Sequence, residues 1–169
     1  MVWIAPPSRV RGFIASGVVF VALALTSCGG SSPDSSALLA PSKAPLSDFS
    51  QEITVSGIPP KMTPKQQYRL TGISVKNIGQ QTWQAEGPNP VQLTYSWLTP
   101  EGKLVSHGDA TPTPADIGPG KSQSLDATIV APQEPGRYIL SLTMIAQNLA
   151  WFSDVGGKPS NFPVTVVPQ

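Results

Sequence analysis

The stretch Val91-Gln92-Leu93-Thr94-Tyr95-Ser96-Trp97-Leu98 decides the fold, because apolar and polar side chains alternate along it without a break. Successive side chains of a β-strand point to opposite faces, so this pattern predicts a strand with one face in the core and one face turned outward. The turn sequence Pro100-Glu101-Gly102-Lys103 follows, and Leu104 and Val105 then return as a short partner. The region therefore predicts a β-hairpin.

The same period of two recurs along the chain, at residues 53–57, 68–75, 122–130, 138–146 and 162–167. Glycine and proline residues lie between these segments, and we expect no proline inside one, because proline cannot donate to a β-ladder. About seven short antiparallel strands of this kind predict an all-β protein, a single immunoglobulin-like β-sandwich. A closed barrel of the oligonucleotide-binding type is the alternative fold, which the absence of a basic stacking face disfavours.

Charge and cysteine content exclude several classes of function. The chain has 11 basic and 10 acidic residues, and loss of residues 1–27 would remove Arg9 and Arg11 and leave a net charge of −1. The bases are scattered, whereas binding of nucleic acid needs clustered positive charge, so we predict no nucleic-acid partner. Cys28 is the only cysteine. If it is modified, neither a disulfide nor a thiolate metal site can form, and we predict no cofactor.

The N-terminus has the order of a secretory signal. Arg9 and Arg11 precede the uncharged apolar residues 12–25, which as a helix would span about 21 Å and fall short of the roughly 30 Å hydrocarbon core of a bilayer. The run Leu25-Thr26-Ser27-Cys28 follows, and the whole segment resembles a bacterial lipoprotein signal with a lipobox. This resemblance implies cleavage before Cys28, acylation of its thiol and anchoring to a membrane of the cell envelope. The alternatives are an ordinary secreted protein and an uncleaved short anchor.

Gly29 follows the cysteine, where an acidic residue often retains lipoproteins at the inner membrane. The resemblance therefore implies the outer membrane, if the source has one. Residues 28–50 are rich in Ser, Pro, Ala and Gly, which predicts a flexible tether. The expected organisation is a signal peptide at 1–27, the lipidated cysteine and tether at 28–50, and the sandwich at 51–168.

Several segments of the predicted domain carry a resemblance to a known family. Together they resemble a bacterial Ig-like domain of cell-envelope proteins, which is also appended to some glycosyltransferases. They are more distantly similar to the four-tryptophan Ig-like domain of selective autophagy receptors. The resemblance implies a fold and an envelope location, and it implies no catalysis. The segments are residues 77–83, 87–98, 118–120, 131–138 and 150–153.

Potential catalytic residues do not form a recognisable constellation. His107 lies in Ser106-His107-Gly108-Asp109, but neighbouring residues on an extended turn diverge, so the three side chains cannot converge as a catalytic triad. One histidine without a free thiol also makes no metal site. The carboxylates that could serve a glycosidase fall in loops or at strand ends, where solvation explains them. They are Glu86, Glu101, Asp109, Asp116 and Asp126.

Aromatic residues are the remaining candidates. Tyr138 resembles a tyrosine corner, and Trp83 and Trp97 are predicted to lie in the core. Trp151 and Phe152 lie in a connection between strands, where they either plug the end of the sandwich or form an exposed platform, with Tyr95 or Asn148 adding polar contacts. We expect a non-catalytic binding or scaffolding domain with an envelope protein or glycan as partner. A carbohydrate-binding module and an unrecognised hydrolase are the alternatives.

Overall fold

The computed structural model describes residues 44–168, which form two β-sheets packed face to face. The signal peptide, Cys28 and residues 28–43 of the predicted tether lie outside the described residues. The strands are β1 Gln51–Thr54, β2 Lys61–Met62, β3 Gln67–Asn77, β4 Val91–Leu98, β5 Leu104–His107, β6 Thr111–Pro112, β7 Ser122–Val130, β8 Gly136–Ala146, β9 Ala150–Trp151 and β10 Ser160–Val166. A single turn of 3-10 helix, Phe152–Val155, follows β9.

The strand order is that of an immunoglobulin-like sandwich. One sheet has the order β1-β3-β7, and the other has the order β2-β10-β8-β4-β5, with β6 paired to β4 and β9 paired to β8. The chain crosses between the sheets from β3 to β4 and again from β7 to β8, as in a Greek key. Seven of the strands have four or more residues. The predicted all-β, immunoglobulin-like fold is therefore confirmed.

Two details of the strands differ from the prediction. Strand β2 was not predicted, and it pairs with β10 in parallel, with Lys61 and Met62 opposite Thr165 and Val166. Pro163 lies inside β10, although we expected no proline within a strand. The N–H of Thr165 points toward β2, so the nitrogen of Pro163 points to the same side, beyond the end of this short pairing. Proline is tolerated there because no ladder hydrogen bond is lost.

Alternation along β4 and β8 builds half of the core. Leu93 and Trp97 are each 1% exposed, and Leu140 and Leu142 are fully buried in the neighbouring strand. On the facing sheet, β3 and β7 contribute Ile73, Val75, Leu125 and Ile129. This is the pattern that the period of two predicts for a sandwich. No helix within residues 44–168 is long and apolar enough to cross a membrane.

Two hydrogen bonds tie the sheets together through the end of β7. The backbone N–H of Val130 donates to the hydroxyl of Tyr95 at 2.9 Å, and its carbonyl accepts from the indole N–H of Trp97 at 2.8 Å. Burial raises the pKa of the Tyr95 phenol. Both ring polar groups therefore have a partner within the protein, as buried Tyr and Trp side chains require.

Candidate functional site

A cavity of about 350 Å³ opens at one end of the sandwich, between the β3–β4 connection and the segment that precedes β1. We call it the end cavity. Its volume lies at the lower end of the range of small-molecule sites. It is lined by Ala44, Pro45, Leu46, Gln81, Thr82, Gln84, Glu86, Gly87, Pro88, Asn89 and Val91.

The β3–β4 connection is held in place by Asn77, which is fully buried. Its side-chain amide donates to the carbonyls of Gln81 at 2.7 Å and Ile117 at 2.8 Å, and its carbonyl oxygen accepts from the N–H of Gly79 at 2.9 Å. Three hydrogen bonds therefore converge on one side chain at the point where β3 ends. This explains why the chain turns here and leads into the wall of the cavity.

Further hydrogen bonds fix the outer part of the same connection. Asp116 accepts from the N–H of Ala85 at 2.8 Å. Asn89 donates to the carbonyl of Gln147 at 2.8 Å, which joins the cavity wall to the β8–β9 turn. The wall is therefore bonded to two other loops, and it is built before any ligand arrives.

The opposite wall is formed by residues 44–46, which belong with residues 47–50 to a segment that we expected to be part of a flexible tether. The side-chain oxygen of Gln81 accepts from the N–H groups of Ser47 at 2.7 Å and Asp48 at 2.9 Å. Asp48 in turn accepts from the N–H of Gln80 at 2.7 Å, and hydrogen bonds from Ser50 and Gln80 hold the pKa of its carboxyl below the ordinary value. The packed part of the chain therefore extends to the N-terminal side of the predicted boundary at residue 51.

The lining of the end cavity combines an apolar surface with a few polar groups. Leu46, Pro88 and Val91 supply much of the apolar surface. The side-chain nitrogen of Gln84 is buried and has no hydrogen-bond partner among the described residues, while Glu86 is exposed at the rim. A buried amide N–H without an acceptor is costly, and a ligand oxygen would relieve that cost once the Gln84 side chain turned its nitrogen into the cavity.

Two residues predicted for an exposed platform are buried instead. Phe152 is 0% exposed. Its ring packs edge-on against those of Phe49 and Trp83, with ring centroids 5.1 Å and 5.3 Å away. Tyr95 is 4% exposed and faces the core. Of the two alternatives, the exposed platform is wrong for these two residues, and Phe152 plugs the space between the sheets as the other alternative predicted. Phe152 instead supports Trp83, whose chain neighbours Thr82 and Gln84 line the end cavity.

Trp151 and Asn148 lie at the surface, but they do not form one site with the buried rings. Trp151 is partly exposed. Its ring packs against that of His107 on the outer face of the larger sheet, and the two ring centroids are 4.4 Å apart. His107 also shares a hydrogen bond of 2.9 Å with the hydroxyl of Ser96. Asn148 has a φ of 59° and donates to the carbonyl of Pro88 at 3.3 Å, so it braces the cavity wall from outside.

Residues predicted to be structural occupy structural positions. Trp83 and Trp97 are each 1% exposed. The hydroxyl of Tyr138 donates to the carbonyl of Glu134, four residues earlier, at 2.9 Å. This is the hydrogen bond of a tyrosine corner.

The five candidate carboxylates do not pair with one another in the described part of the chain. Asp126 forms an ion pair with Arg69 at 3.0 Å, and Asp116 is bonded to the β3–β4 connection. Glu101 lies in the β4–β5 turn, where a hydrogen bond from Thr99 lowers the pKa of its carboxyl. Asp109 follows β5, and Glu86 lies at the cavity rim. Residues 44–168 hold no group of three or more His, Cys, Asp or Glu side chains suited to a metal ion.

The sequence analysis did not predict the end cavity. The one signal for it is the length of the connection between β3 and β4. This connection crosses from one sheet to the other over residues 78–90 and is longer than most connections in compact domains. Long connections in compact domains often carry function. Gln81 and Gln84 have no motif of their own, so only this length marks them.

Comparison with known proteins gives remote similarities. No protein-family model matches the chain, and no curated protein matches it. A CARDB domain from Pyrococcus furiosus has 19% identity over 71% of this chain and 94% of that one, with a TM-score of 0.41. The C-terminal domain of wzt has 15% identity over 70% of this chain and 71% of that one, with a TM-score of 0.44. A β-glucosidase from Listeria innocua has 14% identity over 69% of this chain and 16% of the enzyme, with a TM-score of 0.41.

Proposed function

We propose that this chain is a cell-envelope lipoprotein whose Ig-like domain is a non-catalytic binding module, with its ligand in the end cavity. The observation that carries the proposal is the preformed end cavity, whose lining includes Gln84, a residue whose shielded side-chain nitrogen has no hydrogen-bond partner among the described residues. A wall already fixed by Asn77 and Asp116 is preorganised, which lowers the cost of binding.

The lining indicates the chemistry of the ligand. With its side chain turned into the cavity, Gln84 offers a donor, so the ligand needs a hydrogen-bond acceptor that can enter a largely apolar space. Leu46 and Val91 favour a small apolar group beside that acceptor. Exposed Glu86 at the rim can accept from hydroxyl groups outside the cavity. An acetamido group, with one carbonyl and one methyl, on a hydroxyl-bearing ring has this combination. We therefore propose an N-acetylated sugar of an envelope glycan.

Two-dimensional NMR with N-acetylglucosamine, and with glucose as the matched sugar without the acetamido group, tests the cavity. We expect N-acetylglucosamine, and not glucose, to shift the signals of Leu46, Gln84 and Val91. Gln84→Leu should abolish these shifts. Gln80→Leu, which changes an exposed glutamine outside the lining, should preserve them. Unchanged spectra, or shifts that persist in Gln84→Leu, contradict the cavity proposal.

A second location for the glycan is favoured by one observation, the partly exposed ring of Trp151 beside His107. Sugar rings stack on exposed aromatic faces, and this pair lies on the outer face of the sheet. The same titration separates the two locations. Shifts centred on Trp151, His107 and Ser96 would move the site to this face and refute the end cavity as the binding site.

The proposed anchor is tested on the native protein. We expect the purified chain to begin at Cys28 and to carry a mass increase equal to a diacylglyceryl group. Cys28→Ala should retain residues 1–27 and should not be acylated. A free Cys28 thiol in the native protein contradicts the lipoprotein proposal and leaves the cavity proposal standing.

A further inference from the structure

A different surface, the open edge of β7, carries an inference independent of the end cavity. Strand β7 is the last strand of the three-stranded sheet among residues 44–168. The N–H of Ala131 donates to Gln66, and the carbonyl of Lys121 accepts from Asn77, so odd-numbered positions bond toward β3. The N–H and C=O groups of even-numbered positions therefore point away from β3.

Val130 is an outward position whose backbone groups both have hydrogen-bond partners. Its N–H and C=O are both used, by Tyr95 and Trp97 of the facing sheet. The next four outward positions have no backbone partner in any described strand, because β3 is the only strand paired with β7. They are Thr128, Asp126, Ser124 and Ser122.

The space beside this edge lies over β5. The side chain of Gln51 in β1 donates to Thr143 of β8 at 2.9 Å, so β1 lies over β8. At the other side of the sandwich, Val130 of β7 lies over β4 through its bonds to Tyr95 and Trp97. One step beyond β7 is therefore the position above β5, the neighbour of β4 at the edge of its sheet.

The inner side of β5 is uncovered by the rest of residues 44–168. Ser106 lies opposite Trp97, so both point toward the facing sheet, yet Trp97 is 1% exposed and Ser106 is exposed. Leu104 lies opposite Leu98 and so belongs to the other face, while Val105 lies at the register shift between these two pairs and is 45% exposed. A strand laid beside β7 would cover this side.

Strand β7 also lacks the devices that usually protect an open edge. Across residues 122–130 it has no lysine and no proline, and the irregularity in its pairing falls at Leu70 to Ile73 of β3. Its one charged residue, Asp126, forms an exposed ion pair with Arg69 at 3.0 Å. The hydrogen bonds from Arg69 and from the N–H of Gly72 occupy this carboxylate on the side of β3.

We propose that the β7 edge accepts one extended segment of another polypeptide, which adds as a fourth strand over β5. A second copy of this domain cannot pair through its own β7, because its β4 would then occupy the position of β5. The partner must therefore supply a single extended strand that is not already packed on another sheet, because such a sheet would collide with β5. Backbone hydrogen bonds to the four outward positions give the binding, and alternate side chains of the added strand lie over the inner side of β5 at Ser106.

The test uses capped nine-residue peptides with Val or Ile at alternate positions and Thr, Ser or Lys between them. In the full chain, we expect fast amide hydrogen exchange at Ser124, Asp126 and Thr128. Addition of a binding peptide should slow exchange at these amides at least tenfold. The amides of Leu125 and Ala127, which bond toward β3, should be protected throughout.

Two substitutions at one position separate backbone recognition from side-chain recognition. Ser124→Pro removes an outward N–H and places a ring on the open edge, so peptide binding should be lost while the bonds to β3 remain. Ser124→Ala keeps the N–H and should bind as the wild type does. The proposal is overturned if no peptide of the panel slows exchange in the wild-type protein. Equal binding by a folded Ser124→Pro variant overturns it as well.

Discussion

Replacing Asn77 with alanine tests how the wall of the end cavity is built. The substitution removes three hydrogen bonds of 2.7, 2.8 and 2.9 Å from a fully buried side chain. Each such bond contributes about 1 kcal/mol net, and the partners left behind are the carbonyls of Gln81 and Ile117 and the N–H of Gly79. We therefore expect the free energy of unfolding to fall by about 3 kcal/mol. For a domain of this size, the midpoint of thermal unfolding should fall by about 12 °C.

Urea unfolding followed by tryptophan fluorescence measures the loss. Asn77→Asp is the matched control, because it keeps the shape and the acceptor for Gly79 but offers no donor to the two carbonyls while ionised. Its folded-state pKa must lie above the unfolded value, so its stability should rise as the pH falls and the carboxyl becomes protonated. A loss below about 1 kcal/mol in Asn77→Ala would refute the assignment of these bonds as the support of the connection.

Two further predictions concern single positions away from the cavity. A Cβ at Gly108 would overlap the ring of Tyr95, so Gly108→Ala should lower the free energy of unfolding in urea by about 1–3 kcal/mol or more. Gly118→Ala is the control and should be neutral, because the nearest atom to its added Cβ is 3.8 Å away. Hydrogen bonds from Arg69 and then from a backbone N–H hold the pKa of Asp126 below its ordinary value of 3.8, so the stability they contribute is present above that value and is lost as the pH falls through the folded pKa. Asp126→Asn should flatten the acid side of the stability profile, and an unchanged profile would contradict this role.

The period of two predicted the sheets correctly because it is a local property of each strand. Burial of Trp97 and Leu93 follows from their own positions in β4, whatever the partner strand is. The tyrosine corner at Tyr138 was also predictable, since its acceptor lies four residues away. In these cases neighbouring residues carry all the information that the structure uses.

Interactions between distant residues were not predictable in the same way. Gln81 holds a segment that lies 33 and 34 residues earlier in the chain, and nothing in the sequence of either marks the pairing. Phe152 follows a strand and precedes a glycine-rich turn, which suits an exposed loop. Its burial depends on the space that Phe49 and Trp83 leave between the sheets. The burial of such a side chain depends on residues that are distant in the sequence, so its local sequence does not predict it.

The attachment of both sheets to Val130 has a consequence for where this domain can fold. An indole and a phenol from β4 make this attachment, the role that an inter-sheet S–S bond has in antibody domains. Residues 44–168 contain no cysteine, so thiol–disulfide exchange plays no part in this attachment. The native state of residues 44–168 therefore does not depend on a disulfide, and the surrounding thiol concentration does not decide whether the two sheets stay attached.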